Sequence, residues 1–342
     1  MTISMQVISW IRALVILTVL VILGGCDWFD DKVEVTSAEA AYLLPDRHAE
    51  NVKLQQQSAS QLSNVELYQR ALSLWPIAYR ELSVPTSLGQ ARVIVAGPAD
   101  AEPLVLLHGM HANSAMWYPN IAALAEHYRV YAIDDLLGSG GSRASADISD
   151  MDQVVSWYQE LFDRLQLSSL HLVGASRGGW QAVAITLAES TREKSRIQRL
   201  VLLSPAQTFG WIELSGDLLA SIFFTINPDR NEVQESLQSV SSRPHMINPI
   251  YLDQYVAALE DDPVPGLITE LRPFSDQQLQ QITLPTLVLI GDNDMMNNND
   301  SLERAKKILV QGHTKQIKNA GHFLTVDQAE HVNRAMLKFL SR

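Results

Sequence analysis

The stretch Leu170–Trp180 constrains the fold of this chain more than any other. An apolar run there ends in the pattern Gly-x-Ser-x-Gly, formed by Gly174, Ser176 and Gly178, and a helical pattern follows at once. Such a tight strand-to-helix turn holds its serine in a strained conformation, and a Cβ atom at either glycine would collide with neighbouring chain. Helix N-termini favour negative charge. The pattern therefore predicts that Ser176 is a nucleophile; a serine kept for a structural turn is the alternative.

Strand patterns alternate with helical patterns along most of the chain, which is typical of a mostly parallel sheet with helices on both faces. We therefore predict an α/β fold with a sheet of about eight strands. The predicted strands lie near residues 79–84, 91–96, 104–107, 129–133, 170–173, 199–203, 286–290 and 315–318.

The alternation is interrupted between residues 207 and 283, where helical apolar spacing is broken by several prolines. We interpret this segment as a helical cap inserted between two parts of the core, residues 65–206 and 284–342. In open α/β sheets, ligands bind beyond the carboxyl ends of the strands, so we expect the cap there. Residues 26–64 are polar and glutamine-rich, which predicts a flexible tether.

Residues 1–25 have the pattern of a secretory signal, with a basic residue, Arg12, before an apolar run and two glycines. Cys26, the only cysteine, follows directly, and residues 23–26 resemble the lipobox of bacterial lipoproteins. We predict that Cys26 is the lipid attachment site of a membrane-anchored lipoprotein in a bacterial cell envelope. An uncleaved membrane anchor and a plain signal peptide are the alternatives. Asp27 resembles the signal for retention in the inner membrane, facing the periplasm.

The overall charge and the glycine-rich loop at residues 135–142 each exclude a class of ligand. A net charge of −12 argues against nucleic acid as a partner. The loop fits neither the dinucleotide nor the P-loop pattern, and no lysine closes it, so we do not expect it to bind phosphate. We expect neither a metal ion nor an organic cofactor.

A serine hydroxyl needs a base that accepts its proton and a third group that orients the base. His322 lies in an Asn-Ala-Gly-His turn after the last short strand, whereas the other histidines lack a glycine turn or lie in the N-terminal tether or the cap insertion. His108 ends a strand, where we expect a structural role. Asp292 and Asp294 both follow the preceding strand and are both candidates for the acid. The order Ser, Asp, His is that of α/β-hydrolases.

Ester cleavage also generates an oxyanion, which preorganised N–H groups stabilise. We predict that the donors are the backbone N–H groups of Arg177, at the helix start, and of Met110, in the loop after the strand at residues 104–107. Backbone donors do not depend on residue type, so the identity of neither residue tests this prediction.

Several further segments strengthen the likeness to one family. They are residues 73–76, 97–109, 114–121, 203–209 and 319–322. Through these segments the chain, from about Ser73 to Phe339, resembles the carboxylesterases of Bacillus that hydrolyse naproxen and related aryl-propionic esters.

The resemblance implies a serine carboxylesterase acting on short or medium acyl or aryl esters, without a cofactor. It implies Ser176 as nucleophile, His322 as base and Asp294, rather than Asp292, as acid. One departure is Arg177, where many relatives have an apolar residue, so the polarity of the acyl pocket does not transfer. The alternatives are a lactonase, thioesterase, amidase, perhydrolase or carbon–carbon bond hydrolase, and a non-catalytic binding protein on the same fold.

Overall fold

The computed structural model describes residues 33–212, 235, 240–261, 267, 270–297 and 299–342. Residues 33–342 form one compact unit. Its centre is a sheet with the spatial order β1-β2-β4-β3-β6-β7-β8-β9, and β5 pairs with β2 at one end. The strands are β1 (Arg80–Thr86), β2 (Gly89–Ala96), β3 (Pro103–Leu107), β4 (Arg129–Ile133), β5 (Arg143–Ala144), β6 (Leu170–Ala175), β7 (Ile197–Leu203), β8 (Thr286–Gly291) and β9 (Gly312–Ile317).

The direction of the strands confirms the predicted α/β class. β2 pairs antiparallel with β1, β4 and β5, whereas β4, β3, β6, β7, β8 and β9 form a continuous parallel sheet. The carboxyl ends of the parallel strands therefore meet at one edge. The loops after β3, β6, β8 and β9 carry all the residues that the sequence proposes for the site.

Helices cover both faces of the sheet, as predicted. Alternate side chains of β3 enter different cores: Leu104 and Leu106 belong to one apolar cluster, and Val105 and Leu107 to the other. This alternation follows from the two-residue period of a strand. The described helices are α1 (Ser37–Ala40), α2 (His48–Leu54), α3 (Asn64–Leu72), α4 (Ile121–Ala125), α5 (Met151–Arg164), α6 (Arg177–Ser190), α7 (Pro249–Asp261), α8 (Asp276–Gln280), α9 (Asn299–Ile308), α10 (Leu324–Asp327) and α11 (Ala329–Leu340).

The prediction of a flexible tether is wrong for residues 33–64, which fold onto the core. Glu39 of α1 is fully buried, and its carboxylate accepts hydrogen bonds from the Arg129 guanidinium at 3.1 Å and the Tyr131 hydroxyl at 2.6 Å. The Asn51 amide of α2 donates to the Gln69 side chain at 2.7 Å. The segment is polar because its side chains pair with buried polar groups of the core, which composition alone does not show.

The same segment also covers an edge of the sheet. The Leu44 N–H donates to Glu81 O and the Ser83 N–H donates to Tyr42 O, both at 2.9 Å. These bonds occupy backbone groups on the outer side of β1, the edge strand of the sheet. An open edge strand is the part of a sheet most prone to pair with other chains. Residues 42–44 therefore belong to the folded unit rather than to a tether.

The described part of the predicted cap is helical. It contains a short 3₁₀ helix, Pro244–Met246, then α7 and α8, and none of its described residues forms a strand. The helix α7 packs on α3, where Arg70 forms a buried ion pair with Asp253 at 3.0 Å.

Several predictions fall on residues outside the described ranges. Cys26, the signal sequence at residues 1–25 and much of the cap between residues 213 and 239 belong to this group. Among the described residues, no helix is both long and apolar enough to span a membrane. The same residues contain no cluster of histidine, cysteine and carboxylate side chains that could hold a metal ion.

Candidate active site

Ser176 lies at the turn between β6 and α6, in the conformation that the sequence predicts. Its φ of 52° and ψ of −120° are strained for a residue with a side chain. A Cβ atom on Gly174 would lie 2.2 Å from Gly178 O, and one on Gly178 would lie 2.4 Å from Leu107 O. Only glycine fits at these two positions. Because both are glycine, the chain turns sharply there and places the Ser176 hydroxyl above the sheet.

The structure brings Ser176, His322 and Asp294 together. Ser176 Oγ lies 2.8 Å from His322 Nε2, and His322 Nδ1 lies 3.0 Å from Asp294 Oδ1. A carboxylate only accepts hydrogen bonds, so Nδ1 carries the proton and Nε2 is free to accept the proton of the serine hydroxyl. The three residues come from the ends of β6, β8 and β9, and together they form one continuous line of hydrogen bonds.

Asp294 is buried, and its carboxylate is further satisfied by neighbours in its own loop. The backbone N–H groups of Met296 and Asn297 donate to Oδ1 at 2.9 and 3.2 Å, and the Asn297 amide donates to Oδ2 at 3.1 Å. Burial alone would raise the pKa of Asp294, but the charge and hydrogen bond of His322, with the Ser204 hydroxyl and the Met296 N–H, outweigh it and lower the pKa. Asp294 is therefore ionised at neutral pH.

Asp292, the other candidate for the acid, is exposed. Its Oδ1 accepts a hydrogen bond from the Ala320 N–H at 3.1 Å and not from His322. The sequence alone left both aspartates open. The geometry brings Asp294, not Asp292, to His322.

The loop after β3 passes directly over the turn that carries Ser176. A Cβ atom on Gly109 would lie 3.2 Å from Ser176 Cβ and 3.8 Å from its hydroxyl oxygen. The imidazole of His108 donates from Nδ1 to Gly109 O at 2.8 Å, and the Ala112 N–H donates to the same oxygen at 3.3 Å. Because C=O and N–H point in opposite directions within the plane of a trans peptide, the Met110 N–H points away from the partners of Gly109 O.

His108 has one tautomer and one charge state in this arrangement. Gly109 O can only accept, so Nδ1 carries the proton; Nε2 accepts a hydrogen bond from the Asp135 N–H at 2.9 Å. Burial lowers the pKa of His108 despite the nearby carboxylates of Asp134 and Asp135. The neutral imidazole is therefore part of the support of the Met110 loop, in line with the structural role expected from the sequence.

Arg177 is the first residue of α6, so its N–H has no acceptor within the helix. Its side chain is buried and forms an ion pair with Asp135, with Nη2 donating to Oδ2 at 3.0 Å. Gln181, one turn further along α6, donates to the same oxygen at 2.6 Å. Burial acts to raise the pKa of Asp135, but the charge of Arg177 and the hydrogen bonds from Gln181 and the Leu137 N–H lower it. Arg177 stands where many relatives have an apolar residue, and its buried charge is compensated by the carboxylate of Asp135.

Aromatic rings of the cap and the core contact each other next to the site. Tyr255 of the cap helix α7 contacts His111, with ring centroids 6.4 Å apart, and Phe323, with centroids 6.2 Å apart. His111 follows Met110, and Phe323 follows His322. The cap therefore meets the core at the loops that carry the site.

Sequence reasoning missed several supporting residues. Asp135 was noted only as part of a glycine-rich loop, and neither Asn297 nor Asp327 was singled out. The position of Asp135 directly after a buried strand was a usable signal, because such positions lie at the ligand-binding edge of a parallel sheet. Nothing in the local sequence of Asp327 distinguishes it from a surface aspartate.

Fold and site together define a serine hydrolase of the α/β class, and comparison with known proteins narrows that class. The alpha/beta hydrolase fold family model matches residues 102–242. Carboxylesterase YbfK of Bacillus subtilis is 33% identical over 286 residues, which cover 80% of this chain and 92% of the relative. A second Bacillus subtilis relative, the uncharacterized carboxylesterase nap, is 31% identical over 81% of this chain and 91% of its own length.

Solved structures agree with the sequence relatives. The crystal structure of naproxen esterase (carboxylesterase NP) from Bacillus subtilis superposes with a TM-score of 0.76 at 29% identity, and covers 83% of this chain and 99% of that one. This chain therefore belongs to the α/β-hydrolase fold family, in the group of Bacillus-type carboxylesterases, and is an ester-hydrolysing serine hydrolase.

Proposed function

We propose that this chain hydrolyses short or medium acyl or aryl carboxylic esters in two steps, through an acyl-enzyme on Ser176. His322 is the general base and acid, and Asp294 orients it. The observation that carries the proposal is the continuous line of hydrogen bonds from Asp294 through His322 to the serine hydroxyl. The comparisons support the carboxylesterase reaction.

In the first step, Ser176 Oγ attacks the ester carbonyl carbon while its proton passes to His322 Nε2. The carbonyl oxygen becomes an oxyanion, which the Met110 and Arg177 N–H groups stabilise. The tetrahedral intermediate then collapses, the bond to the alcohol breaks, and His322 returns the proton to the departing alcohol. In the second step a water molecule gives a proton to the same imidazole and attacks the acyl carbon. The bond to Ser176 Oγ then breaks, His322 returns the proton to Oγ, and the acid leaves.

Asp294 contributes by fixing the tautomer and stabilising the imidazolium that forms at His322. Its ionised carboxylate keeps the proton on Nδ1, so the lone pair of Nε2 faces the serine. The additional donors from Met296 and Asn297 hold the carboxylate in place, so that it does not rotate away when His322 is neutral. The acid therefore acts through the histidine rather than on the substrate.

Substitution of the nucleophile tests this proposal directly. We expect wild-type protein to hydrolyse a p-nitrophenyl ester series and to react covalently with a fluorophosphonate. We expect Ser176→Ala to lose both reactions, with a fall in kcat of about 10⁶-fold, while its unfolding transition stays cooperative. Activity in a folded Ser176→Ala protein would contradict the proposed nucleophile. A wild-type protein that binds esters but neither turns over nor labels would favour the non-catalytic alternative.

A matched pair of aspartate variants tests the acid. Asp294→Asn preserves the size of the side chain but removes the charge, and we expect kcat to fall by about 10³- to 10⁴-fold. Asp292→Asn, two residues away, is the control, and we expect its kcat to stay within about 2-fold of wild type because surface changes rarely matter. Equal losses in the two variants would contradict the assignment of Asp294.

We also propose that Cys26 carries lipid and anchors the protein at the cell envelope, at the periplasmic face of the inner membrane. The support comes from the sequence: the apolar run, the lipobox-like residues 23–26 and Asp27. Acyl chains of this kind contribute about 0.8 kcal/mol per buried methylene, so several chains give stable attachment.

Metabolic labelling with an alkyne fatty acid tests the anchor. We expect label on wild-type protein and none on Cys26→Ser, together with a shift of the protein from the membrane fraction to the supernatant after cell disruption. Label that persists in Cys26→Ser would contradict the attachment site. Fractionation of inner and outer membranes then tests the predicted location.

A further inference from the structure

The segment Val240–Arg243, called the cap base below, leads into the cap helix α7 and lies directly against the loop that carries His322. The His322 N–H donates to Val240 O at 2.7 Å. A Cβ atom on Gly321 would lie 2.5 Å from the same oxygen, so only glycine allows this close approach. The cap base and the histidine loop are therefore in contact through their backbones.

A single carboxylate joins the same two segments a second time. Asp327 at the end of α10 is 1% exposed. From the histidine loop it accepts a hydrogen bond from the Gly321 N–H at 2.7 Å. From the cap base it accepts hydrogen bonds from Ser241 Oγ at 2.5 Å and from the N–H groups of Ser242 at 2.9 Å and Arg243 at 3.2 Å.

The geometry makes the two segments dependent on each other. Each oxygen of Asp327 accepts from the cap base, and Oδ2 accepts in addition from Gly321, the residue before His322. Four hydrogen bonds therefore converge on one buried side chain, three from the cap base and one from the histidine loop. If the cap base moves away, the carboxylate loses most of its donors, and its hold on Gly321 has to be rebuilt.

We propose that Asp327 is a positioning residue that couples the cap to the base of the reaction. It holds His322 within hydrogen-bond distance of Ser176 while the cap base is in place. The inference rests on the proposed function, because it takes His322 to be the general base. Asp327 itself contacts neither the serine hydroxyl nor the imidazole; it acts through Gly321 and the cap base.

The central test is Asp327→Asn, which keeps the shape of the side chain but replaces one acceptor oxygen with a donor. Kinetics are measured with p-nitrophenyl butyrate, and kcat is expressed per active site, counted with a fluorophosphonate. We expect kcat to fall by about 10- to 100-fold with KM changed by less than about 3-fold, the effect of a slightly displaced catalytic group. The rate of fluorophosphonate labelling falls in parallel.

Asp292→Asn is the matched control. Asp292 also accepts a hydrogen bond from the histidine loop, from the Ala320 N–H, but it is exposed, and asparagine keeps an oxygen that can accept this bond. We expect both kcat and the labelling rate of this variant to stay within about 2-fold of wild type. A loss in Asp292→Asn as large as that in Asp327→Asn would overturn the coupling, since any bond to the loop would then suffice.

Ser241→Ala tests the cap side of the coupling. The Ser241 hydroxyl bonds to Asp327 and contacts no residue of the serine–histidine–aspartate line. We expect this variant to lower kcat by about 3- to 10-fold on its own and to have little further effect in the Asp327→Asn background, because contacting residues are non-additive. Independent, multiplicative effects would contradict a shared function.

Two outcomes separate the inference from the proposed function. In the first outcome, Asp327→Asn lowers the number of active sites that the fluorophosphonate counts, or the unfolding temperature, but kcat per remaining active site equals that of wild type. Asp327 is then purely structural, and the inference fails while the proposed function stands. If wild-type protein neither hydrolyses the ester nor reacts with the fluorophosphonate, the proposed function fails first and the inference with it.

Discussion

His111 shows at the scale of one residue how the site constrains protonation. It is 6% exposed and has a φ of 55°. It follows Met110 in the same loop, and its ring contacts that of Tyr255 in the cap helix α7. Burial, assisted by the positive charge of Arg177, lowers the pKa of His111 from 6.5 to about 4. The imidazole is therefore neutral throughout the range in which ordinary histidines titrate.

This shift makes a prediction about stability and pH. Between pH 6.5 and 4 the unfolded chain binds a proton at His111 that the folded chain does not, so the free energy of unfolding falls as the pH drops. His111 accounts for about 3 kcal/mol of that fall. In urea unfolding at pH 7 and pH 4, we expect His111→Gln to reduce the difference by about this amount.

His313→Gln is the control for this measurement, because its imidazole is exposed on β9. We expect its pH dependence to match that of wild type. A His111→Gln protein that loses stability toward pH 4 as steeply as wild type would show that His111 is protonated in the folded state.

The N-terminal segment carries the main lesson at the scale of elements. α1 and α2 contribute few apolar side chains, yet Glu39 and Asn51 are buried and paired with groups of the core. Burial would raise the pKa of Glu39, but the hydrogen bonds of Arg129 and Tyr131 outweigh it and lower the pKa. The stabilisation from Glu39 is therefore present above pH 4.5 and is lost as the pH falls through the lowered pKa.

Removal of the Glu39 carboxylate tests the attachment of this segment. Glu39→Ala leaves the Arg129 guanidinium buried without its counter-ion, and we expect the free energy of unfolding to fall by about 3–5 kcal/mol. Glu330→Ala is the control, since Glu330 forms an exposed ion pair with Arg334 at 3.6 Å within α11. We expect no measurable change there. Similar effects of both substitutions in urea unfolding would contradict the docking of α1 on the core.

At the scale of the whole molecule, the site exists only where three separate parts of the chain meet. The first part of the core provides Ser176, the second part provides Asp294 and His322, and the cap helix α7 places Tyr255 beside Phe323. The buried Arg70–Asp253 ion pair ties that helix to α3. We therefore expect the position of the cap to limit the space available to a substrate, whereas the chemistry depends on the edge of the sheet.

This division predicts that the cap sets chain-length preference. Tyr255→Ala removes the ring between His111 and Phe323, and we expect kcat/KM for p-nitrophenyl octanoate relative to butyrate to rise by about 10-fold, the range for one or two accommodated methylenes. Tyr128→Ala is the control. Tyr128 directly precedes β4, at the opposite end of the parallel strands from the site, and its ring packs on His171 of β6. An unchanged chain-length profile in Tyr255→Ala would show that acyl chains lie elsewhere.

Much of the fold and of the site followed from local sequence. The strands, the tight turn at Ser176 and the turn before His322 are set by apolar periodicity and by glycines, which act over a few residues. The order Ser, Asp, His was likewise visible in the chain. By contrast, Asp292 and Asp294 lie two residues apart in similar surroundings, so no local pattern separates the exposed carboxylate from the one that meets His322.

The sequence by itself therefore determined the class of the fold and the residues that can perform the chemistry. Only the tertiary structure decided which polar residues are buried and with what partner. Glu39 reads as part of a soluble tether, and Asp327 as a surface aspartate, until the donors of Arg129, Gly321 and the cap base are brought to them. The physical reason is that burial of a charge depends on hydrogen-bond partners distant in the chain, and periodicity carries no information about them.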